Sequence, residues 1–372
     1  MTERPTLGVG LMSGTSLDGM DAALVRFEGP THATLLHFVS RPYNAAERDA
    51  IRIAIDGGGA RDLALLHVRL AEWAAEAIDA LLAGGRVRAS DLTFIAFPGQ
   101  TVWHEPPAVT WQLGEPALLA ERFGVRVVSG FRARDLAAGG QGAPLVPVAD
   151  VLLFGDPAGP RVLLNIGGMA NLTYVPRRAQ DDGAFAFDTG PGVAIIDAVA
   201  RLVDPTVPFD RDGLLARRGK ADVTVLRELL ADPFFSAPPP KSTGRERFGE
   251  ARARALHARV PGPDGVTTAV ELTARSITEA FRRWVPGRPE VVVSGGGAHH
   301  PVLMERLRAL ADDPSGGRLV IRLFDELFFS GDAKEAVAFA LLGYLTVHGQ
   351  PGNLPAATGA AGRRVLGAVT PP

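Results

Sequence analysis

The chain has 372 residues, too many for one compact core, so two domains are expected. Hydrophobic residues make up 46% and charged residues 22%, a globular composition without a disordered signature. A net charge of −2 gives no electrostatic reason to expect a nucleic-acid or anionic-membrane partner, and the absence of cysteine excludes disulfides, thiolate metal sites and a Cys nucleophile.

The first apolar run, residues 7–11, is too short for a signal-peptide core, and no stretch approaches the roughly 20 apolar residues that span a bilayer. A cytoplasmic protein is expected. Lys stands only at Lys220, Lys241 and Lys334; the other basic residues are Arg.

Strand, turn and strand open the chain: residues 7–11, the turn 13–19, and residues 20–27. Leu63, Leu66, Leu70, Trp73, Ala77 and Leu81 recur at helical spacing and predict a helix over 61–82 that Gly84-Gly85 ends. Phe94–Phe97 reads as a short buried strand running into the polar-aromatic loop PGQTVWHEP, and 125–131 as another strand. Near Arg161 the opening pattern returns in RVLLNIGGMANLTYV. AFAFDTGPGVAIIDAVARLV follows as strand, tight turn and helix, and 232–249 is a loop-rich excursion. An amphipathic helix over 271–284, the strand-turn-helix EVVVSGGGAHHPVLMERLRAL and a last helix over 332–348 complete the chain. The design is a duplicated α/β fold with a cleft between halves, where ligands gather at the carboxyl ends of strands.

MSGTSLDGMD (12–21) is open to two readings. Backbone N–H groups of a Gly-rich turn form an anion-binding concavity, and Ser13, Thr15 and Ser16 add hydroxyl donors. Asp18 suits that reading when a hydrated Mg²⁺ lies between it and a phosphate. The same residues also favour an ordinary hairpin turn. No Walker A pattern and no G-x-G-x-x-G after a strand occurs. A second Gly turn, Asn165 to Asn171 with Gly167 and Gly168, matches the first, as a two-sided polyphosphate clamp requires. Gly295, Gly296 and Gly297 join a strand to a helix and read as an adenosine seat or as a tight connection.

Asp188, in FAFDTGPG at the end of an apolar strand, is the candidate base, because desolvation raises a carboxylate's pKa. A helix cap is the alternative. An aspartic protease needs two such carboxylates, and only one Asp-Thr-Gly is present. Gln100, Trp103, His104 and Glu105 are of the kind that grips sugars. Arg132 and Arg134, in Phe131-Arg-Ala-Arg-Asp135, suit a substrate carboxylate or form a solvated charge run. No close His and carboxylate cluster predicts a fixed metal site.

Taken together these stretches resemble one family, the anhydro-N-acetylmuramic acid kinases of the actin, sugar-kinase and heat-shock-ATPase superfamily. GLMSGTSLDGMD, GQTVWHEP, GGQGAPLVP, LNIGGMANLT, FDTGPG, PKSTGRERF, SGGGAHHPVLMERL, SGDAKEAVAFA and GNLPAATGA carry the resemblance, from residue 8 to near 361. It implies two ribonuclease-H-like lobes, 1–130 closed by 335–372, and 131–334, with MgATP and sugar in a central cleft. It implies hydrolytic opening of the anhydro ring and phosphorylation of O6 in cell-wall recycling, by a homodimer. Asp188 matches the base. Gly14, Thr15, Ser16, Leu17, Asp18, Gly19, Met20 and Asp21 match the ATP phosphate loop, with Asn165, Gly167, Gly168, Gly190, Gly295, Gly296 and Gly297 as further nucleotide contacts. Gln100, His104, Arg132, Asp135 and Glu335 are the expected sugar contacts, and Mg²⁺ arrives with ATP near Asp18. Three positions depart from the family pattern: Phe97-Pro98 where Cys-His is common, Val193 where Asn is common, and His300 for Asn before Pro301. They leave open a related amino-sugar kinase with a shifted substrate; a non-enzymatic ATP-driven clamp is the other alternative.

Overall fold

The computed structural model describes residues 5–14, 17–313 and 317–372, and the chain divides into two compact units. Met1–Phe154 and Asp332–Pro372 form the first, Gly155–Gly331 the second. The sequence reading placed 131–154 in the second lobe. These residues pack with the first unit because Asp135 ties them to the C-terminal tail through Asn353 and Thr358.

In the first unit β1 (Thr6–Met12), β2 (Gly19–Gly29) and β3 (His32–Pro42) form an antiparallel meander. The stretch that reads from sequence as a loop instead forms an antiparallel hairpin, β5 (Gln100–Glu105) and β6 (Val109–Leu113). The other side of β1 pairs in parallel with β4 (Phe94–Phe97), which pairs in parallel with β7 (Val127–Ser129). The Ala368–Thr370 strand closes that edge. Gly10 sets how closely the sheet is covered. A Cβ there would stand 2.0 Å from the Ala336 carbonyl oxygen, so only glycine lets the Lys334–Val347 helix approach β1 so closely. The helix predicted over 61–82 spans Ala60–Gly85, so Gly84 and Gly85 lie inside its last turn. Glycine is needed there for room, since a Cβ on Gly84 would meet the His37 ring at 2.2 Å. The strand expected over 125–131 stops at Ser129, and Phe131–Ala137 is a helix beginning after Gly130 at φ +67°.

The second unit repeats the plan. β8 (Arg161–Ile166), β9 (Met169–Val175) and β10 (Phe185–Pro191) form an antiparallel meander. β11 (Glu290–Ser294) lies parallel to β8, and the Ile321–Leu323 strand parallel to β11. The Ala194–Val203 and Pro263–Trp284 helices bury their apolar faces with this sheet's core. Each unit therefore has the order third, second, first strand, then parallel strands. This is the ribonuclease-H-like arrangement, duplicated as in the actin-like ATPase fold.

Candidate active site

In the first unit the turn after β1 is clamped at both ends. Ser13 Oγ donates to Gln100 Oε1 at 2.5 Å and lies 2.8 Å from the Tyr43 hydroxyl. Tyr43 N–H donates to the Asp18 carbonyl at 2.9 Å, and Leu17 N–H to the Gly14 carbonyl at 3.3 Å. Leu17 adopts φ +59° with its side chain buried, a conformation that costs a non-glycine residue about 1 kcal/mol or more. Thr15 and Ser16 lie outside the described residues. Gln100 is wholly buried; its Oε1 accepts from Ser13 and its Nε2 donates to the Thr101 carbonyl at 3.3 Å.

Carboxylates gather beside the turn. Burial raises the Asp21 pKa, Ser40 opposes the rise, and the charges of Asp332 and Asp18 add to it. Burial likewise raises Glu335, against the cations Lys334 and Arg132. Desolvation lowers Arg132, and desolvation and the Arg132 charge lower His104. Arg132 donates to the Gly142 carbonyl at 2.9 Å, and Lys334 pairs with buried Asp150 at 2.8 Å. His104, Arg132 and Glu335 thus share one electrostatic neighbourhood with Asp18 and Asp21. Asp135 does not join them. Its buried carboxylate accepts the Gly142 N–H, the Asn353 amide and the Thr358 hydroxyl, each at 2.8 Å.

In the second unit the sheet register aligns the polar ends of four strands. Asp188 stands opposite Asn171, Asn171 opposite Asn165, and Asn165 beside Ser294. A bulge between Asp188 and Gly190 leaves Thr189 unpaired in the ladder, so the chain turns sharply just past the carboxylate. The Gly turns interlock. Gly192 N–H donates to the Gly168 carbonyl and Val193 N–H to the Gly167 carbonyl, both at 2.9 Å. A Cβ on Gly295 would stand 2.5 Å from Asn165 Oδ1, so the 295–297 turn also rests on Asn165. Val193 packs against the core.

Asp188 is bracketed by a strap, residues 241–243. The Thr243 N–H donates to Asp188 Oδ2 at 2.8 Å, and the Asp188 N–H to the Lys241 carbonyl at 3.0 Å. Burial pushes the Asp188 pKa up to about 6, Thr243 and the Lys241 charge pull it down, and Glu246 adds to the rise. The Thr243 hydroxyl oxygen is buried without a partner among the described residues. Neither Lys241 nor Thr243 is marked by spacing. The rarity of Lys and the PKSTGRERF stretch of the family resemblance are the sequence signals that point to them. Asp197, on the helix after the turn, is also raised to about 6 by burial, opposed by Arg201 and His300.

His300, one of the departures from the family pattern, has a local structural task. Its Nδ1 accepts the Leu303 N–H at 3.1 Å, capping the Pro301–Ala311 helix. Nε2 then carries the proton and faces Asp210 Oδ2 at 3.3 Å.

The family model described as anhydro-N-acetylmuramic acid kinase matches residues 6–372. A protein of that name from Gloeobacter violaceus is 44% identical, with 99% of each chain covered. One from Salinibacter ruber is 43% identical, with 98% of this chain and 96% of the relative covered, and one from Bacillus cereus 38%, with 98% of each. A family model matched over nearly the whole chain, together with relatives of this identity along their full length, shows that the chain belongs to the anhydro-N-acetylmuramic acid kinase family and is a kinase.

Proposed function

We propose that this kinase opens the internal ring of anhydro-N-acetylmuramic acid with water and phosphorylates the freed O6 from ATP. The products are N-acetylmuramic acid 6-phosphate and ADP, in cell-wall recycling. The observation that carries the reading is Asp188, a strand-end carboxylate with its pKa lifted to about 6 and one oxygen held by a backbone N–H. A base with that pKa is ionised at neutral pH yet basic enough to take a proton from water.

Asp188 takes the proton of the water that adds to the anomeric carbon. The anomeric carbon–O6 bond breaks, O6 bonds to the γ-phosphorus, and the bond to the β-phosphate oxygen breaks, releasing ADP. Phosphoryl transfer of this kind needs positioning and charge neutralisation from the protein. The buried Thr243 hydroxyl is free to take a group that arrives at Asp188. His104, Arg132 and Glu335 suit the sugar, with Arg132 toward the lactyl carboxylate.

The glycines fit a phosphate-bearing ligand. No atom comes nearer than 3.6 Å to the Cβ position of Gly167, and Arg245 lies 3.5 Å from that of Gly168. Gly296 has none within 4 Å. In this reading Gly14, Leu17, Asp18, Gly19, Met20 and Asp21, with Asn165, Gly167, Gly168, Gly190 and Gly295–Gly297, hold the nucleotide. Thr15 and Ser16 belong to the same loop by sequence. Asp18 and Asp21 would hold Mg²⁺ through its waters, and the ion supplies charge neutralisation at the phosphates. The family resemblance supports a cytoplasmic homodimer.

The test is ADP release dependent on the anhydro sugar, with mass of the product. Asp188→Asn is expected to lose activity by about 10²–10⁴-fold. Asp197→Asn, equally raised in pKa, is expected to retain it. Turnover by Asp188→Asn at the wild-type rate removes the base assignment.

A further inference from the structure

We infer that Lys241 is a positioning residue for Asp188: its ammonium, docked on two main-chain carbonyls and over an aromatic ring, holds the 241–243 strap against the carboxylate. This deepens the role proposed for Asp188 and rests on it.

The anchor is built from several contacts. Lys241 Nζ donates to the Phe234 carbonyl at 2.8 Å and to the Phe235 carbonyl at 3.4 Å. It stands 4.6 Å from the centre of the Phe234 ring and 5.8 Å from that of Phe187, within range of cation–π attraction. Phe187 precedes Asp188 on β10, so one cation touches the strand that bears the carboxylate and the helix that anchors the strap. The anchor is itself fixed. Phe234, Phe235 and Phe248 pack ring against ring, and Asp232 caps the Pro233–Ser236 helix while pairing with Arg247 and Arg252.

The strap reaches Asp188 from both sides of its backbone. Lys241 supplies a carbonyl to the Asp188 N–H, and Thr243 an N–H to Oδ2. Without the ammonium the strap keeps, among the described residues, these two bonds to Asp188, in a segment that includes Pro238, Pro239 and Pro240 and has no regular structure until Arg245. An ammonium suits the place because a point charge with three rotatable donors converges on two carbonyls and a ring face, whereas a guanidinium presents a flat fork.

The charged groups around Asp188 set the direction of the effect. Lys241 favours the ionised carboxylate and Glu246 opposes it. Lys241 in turn faces Arg283 of the Pro263–Trp284 helix. Opposite Asp188 on β9 stands the neutral Asn171. Removing the ammonium deletes the nearby cation and loosens the Thr243 bond, and both changes disfavour the carboxylate.

The experiment compares wild type, Lys241→Met and Lys241→Arg. Turnover is followed from pH 5 to 9 with saturating ATP and sugar, and the Asp188 carboxyl titration is read directly by ¹³C NMR of Asp-labelled protein, with Asp188→Asn as the assignment control. Lys241→Met is expected to move both midpoints up by about one pH unit and to leave the KM for ATP within about twofold. Lys241→Arg, which keeps the charge, is expected to recover more than half of that shift. A fall in turnover by the same factor at every pH, with the titration unmoved, makes Lys241 a structural residue and overturns the inference. If Lys241→Met folds poorly, Lys241→Gln, neutral and able to reach one carbonyl, carries the same comparison. An active Asp188→Asn removes the base assignment alone. An inactive Asp188→Asn with an unmoved titration in Lys241→Met removes this inference alone.

Discussion

Asn353 donates its side-chain amide to Asp135 at 2.8 Å, joining two residues 218 positions apart. The same carboxylate accepts the Thr358 hydroxyl and the Gly142 N–H, so one buried charge fastens the tail to the 131–142 segment. Asp135→Ala strands three donors in a buried place. A loss of about 3 kcal/mol or more is expected, since removing one partner leaves the others unsatisfied. Chemical denaturation reads the loss, and the KM for the sugar at low temperature is expected to stay unchanged. An altered KM with unaltered stability would place this carboxylate on the substrate.

Asp188 is expected to behave oppositely. Its folded pKa, about 6, lies above its ordinary value, so the folded protein binds the proton more tightly than the unfolded chain. That contribution is present below the ordinary carboxylate pKa and is lost as pH rises through about 6. Above that pH the ionised group costs the fold up to about 3 kcal/mol. Asp188→Asn is therefore expected to raise the melting temperature at pH 8 and to leave it unchanged near pH 3.5. A lower melting temperature at pH 8 would mean that the strap stabilises the ionised form more than burial disfavours it.

His300 tests whether its departure from the family pattern is neutral. Asn is a strong N-cap and accepts the same Leu303 N–H, so His300→Asn is expected to stay within about 1 kcal/mol of wild type and to keep its activity. His300→Ala loses the cap and leaves Asp210 facing no imidazole, and a loss of about 1–2 kcal/mol is expected from thermal melts. A large drop in turnover for His300→Asn would give the imidazole a role in the reaction.

The duplicated fold was legible because strand, glycine turn and strand recur at Leu7 and Arg161 with the same apolar period, and the register follows that pattern. What the spacing hid were contacts made by backbone and by distant residues. Gly84 and Gly85 read as a helix stop, yet both lie inside the helix, where His37 and Leu24, distant in sequence, leave no room for a Cβ on Gly84 and Gly85 respectively. Gln100 and Asp135 have the chemistry of ligand contacts, and only the fold reveals that Ser13, Asn353 and Thr358 already use them. Asp188 announced itself as a carboxylate on an apolar strand. The strap's stretch, PKSTGRERF, carried the family resemblance, but its link to Asp188 was not legible, because both bonds to Asp188 are made by main-chain atoms of the strap.

Two glycines of the second unit separate a structural requirement from a ligand requirement. A Cβ on Gly192 would stand 2.0 Å from the Gly167 carbonyl oxygen, so Gly192→Ala must part the two interlocked turns. Weakening the hydrogen bonds that Gly192, Val193 and Ala194 donate to Gly167 and Gly168 is expected to cost about 2 kcal/mol, with turnover falling alongside stability. Gly296 is the contrast. It begins the Gly296–His299 turn with open space where a Cβ would be and without a positive φ. Gly296→Ala is therefore expected to hold or raise stability by about 0.5 kcal/mol, through the lower entropy of the unfolded chain. If the nucleotide lies on this backbone, the added methyl occupies its place, and the KM for ATP is expected to rise at least tenfold while the sugar KM stays put. An unchanged KM for ATP in a stable Gly296→Ala protein would move the nucleotide off the 295–297 turn.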